Sequence, residues 1–287
     1  MIDLHTHSNY SDGSLSPEAL AEAGRQAGLT ALALTDHDTV DGLPLFLKAC
    51  AERPGLIGVP GLEISADVQT GTLHMLGYFV DPKNERLRDV LQRSRDSREI
   101  RNAEILERLA KLGMPLTAAE VARSAGEQVA GRPHIAQAMQ AKGYVTSFRE
   151  AFDRYLGKGH DAYADRFRLL PEESIAVILG AGGVPVLAHP FTLYLARTKL
   201  NNYVAELKDA GLEGMEVFYP EHNKRQRTRY QVLARDLDLV ATGGTDYHGT
   251  ITPGIKLGVG RGKLDVPDSV LDDLLARRKQ SAYVVGK

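Results

Sequence analysis

The sequence predicts an α/β fold, a parallel barrel interrupted by a helical insertion. Short apolar runs alternate with helical patterns near both ends of the chain, as successive βα units do. That alternation lapses for roughly eighty residues in the middle. Histidines and carboxylates recur just past the ends of the predicted strands, and in a parallel barrel those ends share one face.

Ile2 to His5 reads as a short buried strand, and side chains alternate along it, so His5 and His7 point the same way from its end. Ser16-Pro17-Glu18 opens the first helix with an N-cap, a proline at the first helical position and an acid at the positive end of the dipole; Gly28 stops it. Leu29 to Thr35 is a continuous apolar run, as in a strand buried on both faces, and it ends in Asp36-His37-Asp38. A helix from Val40 to Glu52 and a strand from Leu56 to Val59 lead into Gly61-Leu62-Glu63. The next strand, Thr72 to Val80, carries His74.

Past Asp81 the pattern becomes helical. A long charged helix spans Asn84 to Leu112, followed by Ala118 to Ser124, Pro133 to Lys142 and Phe148 to Leu156; Ser147 and Glu150 stand in capping-box spacing before the last. We therefore expect a discontinuous barrel, 1–81 and 169–287, around a helical insertion, 82–168. Alternation resumes with a helix from Pro171 to Gly182-Gly183, the strand Val184 to Ala188, a helix from Thr198 to Ala210 and the strand Gly214 to Phe218. A helix from Glu221 to Asp236, the strand Leu239 to Thr242, a helix from Asp268 to Arg278 and an apolar tail, Ala282 to Val285, complete the chain. Seven or eight strands so separated argue for a barrel over an open sheet.

The 287 residues suffice for an ample core, and charged residues at 25% with a net charge of -2 predict no overall basic field. We expect no extended basic surface, which weighs against long nucleic acids as substrates. The single cysteine, Cys50, lies in an apolar helical pattern and reads as a core thiol. No apolar stretch approaches a membrane span, and a cytoplasmic protein without membrane contact is the expectation.

His5, His7, Asp12, His37, Glu63, His189, Asp246 and His248 all fall at or just after strand ends, and His74 joins them if it points inward. Singly, each is more simply a satisfied polar residue. Together, six of the nine histidines would repel one another when protonated and leave ring nitrogens unpaired when neutral, whereas divalent ions satisfy them all. The ordered set His5-Thr6-His7-Ser8, Ser11-Asp12-Gly13, Thr35-Asp36-His37-Asp38, Gly61-Leu62-Glu63-Ile64-Ser65, His74, Ala188-His189-Pro190 and Thr245-Asp246-Tyr247-His248 resembles the metal-binding motifs of the polymerase and histidinol phosphatase (PHP) family.

The resemblance implies a distorted (β/α)7 barrel with up to three divalent ions, manganese first and iron or zinc as alternatives. Carried over by position, it implies one ion on His5, His7, Glu63 and Asp246, a second on Glu63, His74 and His189, and a third on Asp12, His37 and His248. The expected chemistry is phosphate ester hydrolysis by a metal-bound hydroxide held by Glu63, Asp246 and His189. His189 or Asp36 is a candidate to protonate the leaving alkoxide, though ligation suits His189 poorly to that task.

Gly131-Arg132-Pro133-His134 and the segment Ala151 to Gly157 resemble the insertion of a nucleotide-acting PHP subgroup. Members of that subgroup remove the 3′-phosphate of nucleoside 3′,5′-bisphosphates such as pAp, or trim short RNA from its 5′ end. Arg132, His134, His222 and Asn223 are therefore expected to bind substrate, and Tyr219 and Tyr247 are candidates to stack on a base. The arginines of the long helix, Arg93, Arg95, Arg98 and Arg101, read as a solvated face, and His160 has no assignment. The leading expectation is a bisphosphate phosphatase. A 5′-to-3′ exoribonuclease, another small-molecule phosphatase such as histidinol phosphatase, and a regulatory metal-binding domain follow. No protein partner is implied.

Overall fold

A seven-stranded sheet runs in the order β1 (Ile2–Asp3), β2 (Ala31–Leu34), β3 (Ile57–Ala66), β4 (Leu73–Tyr78), β5 (Val184–Leu187), β6 (Gly214–Phe218) and β7 (Val240–Gly243). The structure is a computed structural model that describes residues 1–125 and 130–278; the apolar tail, 282–285, lies outside them. Beyond the ends of β7 and β1, Thr6 and Tyr247 form a parallel bridge, with His7 N–H donating to Tyr247 O at 2.9 Å, so the sheet is a nearly closed barrel. Buried Asp3 supports this seam, because its carboxylate accepts from Thr245 N–H, Thr245 Oγ1 and Gly258 N–H at 2.6–2.8 Å.

The barrel is not parallel throughout, which corrects the sequence reading. Strand β4 runs antiparallel to both β3 and β5, while the other neighbours are parallel. The cause is loop length: a parallel connection needs a dozen or more residues, and only residues 67–72 join β3 to β4, turning through Gly71 at a φ of 72°. Reversal puts the start of β4, and hence His74, at the rim where the parallel strands end. Strand β3 also extends past its expected end at Val59 to Ala66, taking Glu63 into the sheet.

The helices around the barrel begin and end within about three residues of the expected ones: α1 (Pro17–Gln26), α2 (Leu43–Ala51), α7 (Pro171–Gly180), α8 (Arg197–Asp209), α9 (Lys224–Asp236) and α10 (Ser269–Arg277). Ser16 caps α1 by accepting from Ala19 N–H at 3.2 Å. The barrel core gathers Ile2, Leu4, Val59, Leu76, Tyr78, Val184 and Val186, and the Tyr78 hydroxyl donates to Leu4 O at 2.9 Å. Cys50 is buried on α2 and is a free thiol.

The chain divides into two compact units, Met1–Val90 with the described residues from Arg168 onward, and Leu91–Phe167. Helix α3 (Glu85–Lys111) leads into the second, which also contains α4 (Ala118–Ala125), α5 (Arg132–Ala141) and α6 (Phe148–Ala151). Its own core includes Ile105, Leu109, Val121, Ile135, Met139 and Leu156. The helix expected over 148–156 changes type midway: Phe152–Leu156 is a π-turn closed by Gly157 N–H on Phe152 O at 3.0 Å. A Cβ on Gly157 would stand 2.6 Å from that oxygen, so the turn requires glycine. No described helix is long and apolar enough to cross a membrane.

Candidate metal centre

At the end of β1 the alternation of side chains divides the motif. Thr6 turns outward and donates to Ala33 O at 2.5 Å, while His5 and His7 turn inward, fully buried, with ring centroids 5.2 Å apart. The loop carrying His7 is fixed by Asp36, whose carboxylate accepts from Ser8 N–H, Ser8 Oγ and Ser11 Oγ at 2.6–2.7 Å. Burial raises the Asp36 carboxyl above its usual range, and these bonds only partly offset it. So occupied and only 2% exposed, Asp36 positions the loop; that corrects its candidacy as the acid for a leaving group.

Glu63 is the hub. Its Oε2 lies 3.2 Å from His5 Nε2, 3.3 Å from His7 Nε2 and 3.2 Å from His37 Nδ1, while Oε1 lies 2.9 Å from His74 Nδ1 and 3.1 Å from His189 Nε2. Asp246 Oδ1 stands 3.3 Å from His5 Nε2 and 3.1 Å from His7 Nε2. Asp12 Oδ1 lies 3.1 Å from His248 Nε2, and its Oδ2 3.7 Å from His37 Nε2. All the side chains expected as ligands thus meet in one cluster.

Three overlapping sets have donor atoms close enough to share an ion: His5, His7, Glu63 and Asp246; His7, Asp12, His37 and His248; and His37, Glu63 and His74. The first coincides with an expected set. The second adds His7 to the expected trio, and the third has His37 where His189 was expected, although His189 contacts the same carboxylate. The donor chemistry fits divalent metal. His7 Nε2, His37 Nδ1 and His74 Nδ1 are buried and lie within 3.3 Å of carboxylate oxygens, yet none makes a hydrogen bond. Nitrogens so placed are arranged around a shared point rather than aimed at a neighbour, as ligands of a cation are.

Electrostatics agree. Burial opposes charge on His7, but Asp246, Glu63 and Asp12 outweigh it and hold the imidazole up to about 10. His5 is likewise raised, against burial, by Asp246, Glu216 and Glu63. Burial prevails at His37, which falls to about 4 despite Glu63 and Asp12. The imidazoles hold the Glu63 and Asp246 carboxyls well below the carboxylate range, although burial alone would raise them. The cluster therefore concentrates positive charge on nitrogens that a divalent cation would take over.

Two of the expected ligand positions are strained: His189 has a φ of 24° and Asp246 a φ of 54°, backbone conformations that non-glycine residues rarely hold. One partner absent from the sequence reading, Glu216, and one read there in another role, Tyr219, secure them. Fully buried Glu216 accepts from His189 N–H through Oε2 at 2.8 Å and sets Oε1 3.0 Å from His5 Nδ1, orienting one imidazole and one loop at once. The signal was a single carboxylate in the otherwise apolar strand Gly-Met-Glu-Val-Phe. Tyr219 donates its hydroxyl to Asp246 Oδ2 at 2.8 Å and is 8% exposed, so it orients a carboxylate; this corrects its expected role as a stacking surface.

Tyr247 lines a groove with Ala23, Gln26 and Ile255. His222 is buried against Phe191, Tyr219 and Tyr230, with Nδ1 on Val217 O at 3.0 Å. Asn223 caps α9, its side chain accepting from Gln226 N–H at 3.0 Å. In the second unit, Arg132 donates to Leu156 O at 3.4 Å with its guanidinium over the Tyr163 ring, and His134 Nδ1 accepts from Gly131 N–H at 3.1 Å. His160 is exposed. Burial pushes the Cys50 thiol up to about 12, which suits a core residue and not a nucleophile.

Comparison with known proteins agrees with this geometry. The PHP domain family matches residues 3–156. A 5′-3′ exoribonuclease of Haemophilus influenzae is 32% identical over 269 residues, covering 94% of this chain and 96% of its own length. A 3′,5′-nucleoside bisphosphate phosphatase of Chromobacterium violaceum is 31% identical over 255 residues, with 86% and 87% covered. A solved structure, that of a proposed metal-dependent phosphoesterase from Bifidobacterium adolescentis, superposes with a TM-score of 0.80 at 31% identity over 97% of this chain and 96% of that one. The chain belongs to the PHP domain family.

Proposed function

We propose that this protein is a metal-dependent phosphatase that removes the 3′-phosphate of nucleoside 3′,5′-bisphosphates, converting pAp to AMP and phosphate. The observation that carries the reading is the cluster centred on Glu63, with its buried imidazole nitrogens free of hydrogen bonds. Similarity to the Chromobacterium violaceum phosphatase along most of the chain supports the substrate. His5, His7, Asp12, His37, Glu63, His74, His189, Asp246 and His248 would hold the ions, manganese first among them. Such ions supply Lewis acidity, activating water and neutralising the phosphate.

The remaining work falls to the chain. Glu63, between five imidazoles, sets the spacing of the whole site. Glu216 orients His5, Tyr219 orients Asp246 and Asp36 fixes the loop that bears His7. Arg132 and His134 are proposed as contacts of the second phosphate on the strength of their motif. A second reading, 5′-to-3′ exoribonuclease, is favoured by the Haemophilus influenzae relative. A screen of the manganese-loaded protein over pAp, AMP, histidinol phosphate and short RNA, with released phosphate and released nucleotide both measured, separates the two. Fastest release from pAp, with AMP accumulating, is expected. Nucleotide release from RNA without attack on pAp would replace the first reading by the second.

A further inference from the structure

The chain's net charge of -2 conceals a local concentration of positive charge, against the expectation of no extended basic surface. Helix α9 begins where β6 ends, on the rim that carries the cluster, and its first half reads Lys-Arg-Gln-Arg-Thr-Arg. Two grooves flank that half and share Lys224. One, of about 860 Å³, is lined by Arg197, Lys224, Arg225 and Arg229; its one carboxylate, Asp236, is paired with Arg235 at 2.8 Å. The other, of about 620 Å³, is lined by Lys224, Arg227, Arg261 and Lys263 and by no carboxylate. Among the described residues none of these cations is in an ion pair. Such charges repel one another, and a bound polyanion would relieve that repulsion along the strip.

Two further observations indicate the kind of polyanion. Tyr194, on the segment that leads from His189 to Arg197, is 81% exposed and held at a φ of 52°. An aromatic ring presented to water three residues before Arg197, which lines the first groove, is suited to stack on a base. The second groove also reaches inward to His222, which is 5% exposed and whose Nε2 has no hydrogen-bond partner. His222 stands two ring contacts from the cluster, through Tyr219 at 5.2 Å and from Tyr219 to His189 at 5.6 Å. A row of cations follows a repeating phosphodiester, while a mononucleotide would occupy only a fraction of it.

We propose that the strip around the first half of α9, with Tyr194, binds the backbone of a single-stranded oligonucleotide whose end is presented to the metal-ligand cluster. The inference rests on phosphoester hydrolysis at that cluster and goes beyond the oligonucleotide reading by assigning the surface that would carry the strand. Phosphates track Lys224, Arg225, Arg227, Arg261 and Lys263, and a base stacks on Tyr194.

The test is fluorescence anisotropy of the full-length, manganese-loaded protein with a labelled phosphorothioate RNA about eight nucleotides long, across a salt series. Each phosphate contact on a single strand contributes about -0.7 to the slope of log K against log salt. Arg227→Gln with Arg261→Gln should therefore flatten the slope by about 1.4, while kcat/KM for pAp stays within about twofold of wild type. Tyr194→Ala should weaken binding roughly fivefold to 150-fold and leave the slope unchanged, because stacking is not electrostatic. An unaltered affinity and slope in the double variant would overturn the proposal. So would equal binding to phosphatidylserine vesicles with the same loss in the variant, since that marks a generic anionic-surface contact. Binding that behaves as expected in a protein that hydrolyses neither pAp nor RNA would refute the proposed function and leave the strip standing. Hydrolysis without strip-dependent binding would do the reverse.

Discussion

Replacing Glu216 by glutamine removes one charge from a position that water does not reach, and its consequence can be worked from two contacts. Glu216 Oε2 accepts from His189 N–H, and Oε1 lies 3.0 Å from His5 Nδ1. When His5 Nε2 offers its lone pair to an ion shared with Glu63 and Asp246, its hydrogen would sit on Nδ1 and be donated to Glu216. Glutamine can keep the bond from His189, but its amide then turns N–H toward N–H at His5. One charge-assisted bond is lost, about 1.5 to 3 kcal/mol, which is roughly 10-fold to 150-fold in affinity. That range matches the cost of removing partners that orient metal ligands in general, about 10-fold to 100-fold. Competition between the protein and a chromophoric chelator for manganese measures it directly. Affinity is the right readout because loss of a buried charge can raise the melting temperature of the metal-free protein even as the site weakens. Affinity within about threefold of wild type, with the fold intact by circular dichroism, would show that Glu216 does not hold His5 for ligation.

Arg132→Ala should erode the preference for pAp over a nucleoside 3′-monophosphate by roughly 10-fold to 150-fold in kcat/KM with bound metal unchanged, and an unchanged ratio would remove Arg132 from substrate binding. Metal binding should release protons and strengthen as pH rises through neutrality, because His7, held up to about 10 from an ordinary 6.5, must lose its proton to ligate. In the metal-free protein the same raised value gives a stability contribution that is complete below pH 6.5 and lost as pH rises through about 10, which denaturant unfolding at several pH values would detect. Cys50, pushed up to about 12, should resist alkylation at pH 8 in the folded protein and react once it is unfolded; rapid labelling of the native state would contradict its burial.

Where the sequence was legible, the reason is periodicity and local chemistry. Apolar runs such as Ala31–Leu34 and Val184–Leu187 are buried along their whole length, and the side chains placed at their ends do converge. The direction of β4 was hidden because an apolar run does not state which way it runs; the short connection through Gly71 did, and it was the neglected signal. Glu216 and Asp3 escaped notice because each sits inside a strand rather than beyond it, where a lone carboxylate looks like an interruption of the pattern. Tyr219 illustrates a different limit: its ring suggested stacking, and only the fold shows its hydroxyl on Asp246. The strip on α9 was invisible to net charge, since acidic residues elsewhere cancel it in the sum.

The most direct measurement is a manganese titration of chelator-stripped protein in which bound ions and phosphate released from pAp are followed together, for wild type, His7→Ala and Asp246→Ala. Stripped wild type should be inactive and should recover as about two to three ions bind per chain, while each variant loses most turnover and part of its metal with the fold retained. Full turnover by the metal-free protein, or near-normal turnover in either variant, would contradict hydrolysis at this centre.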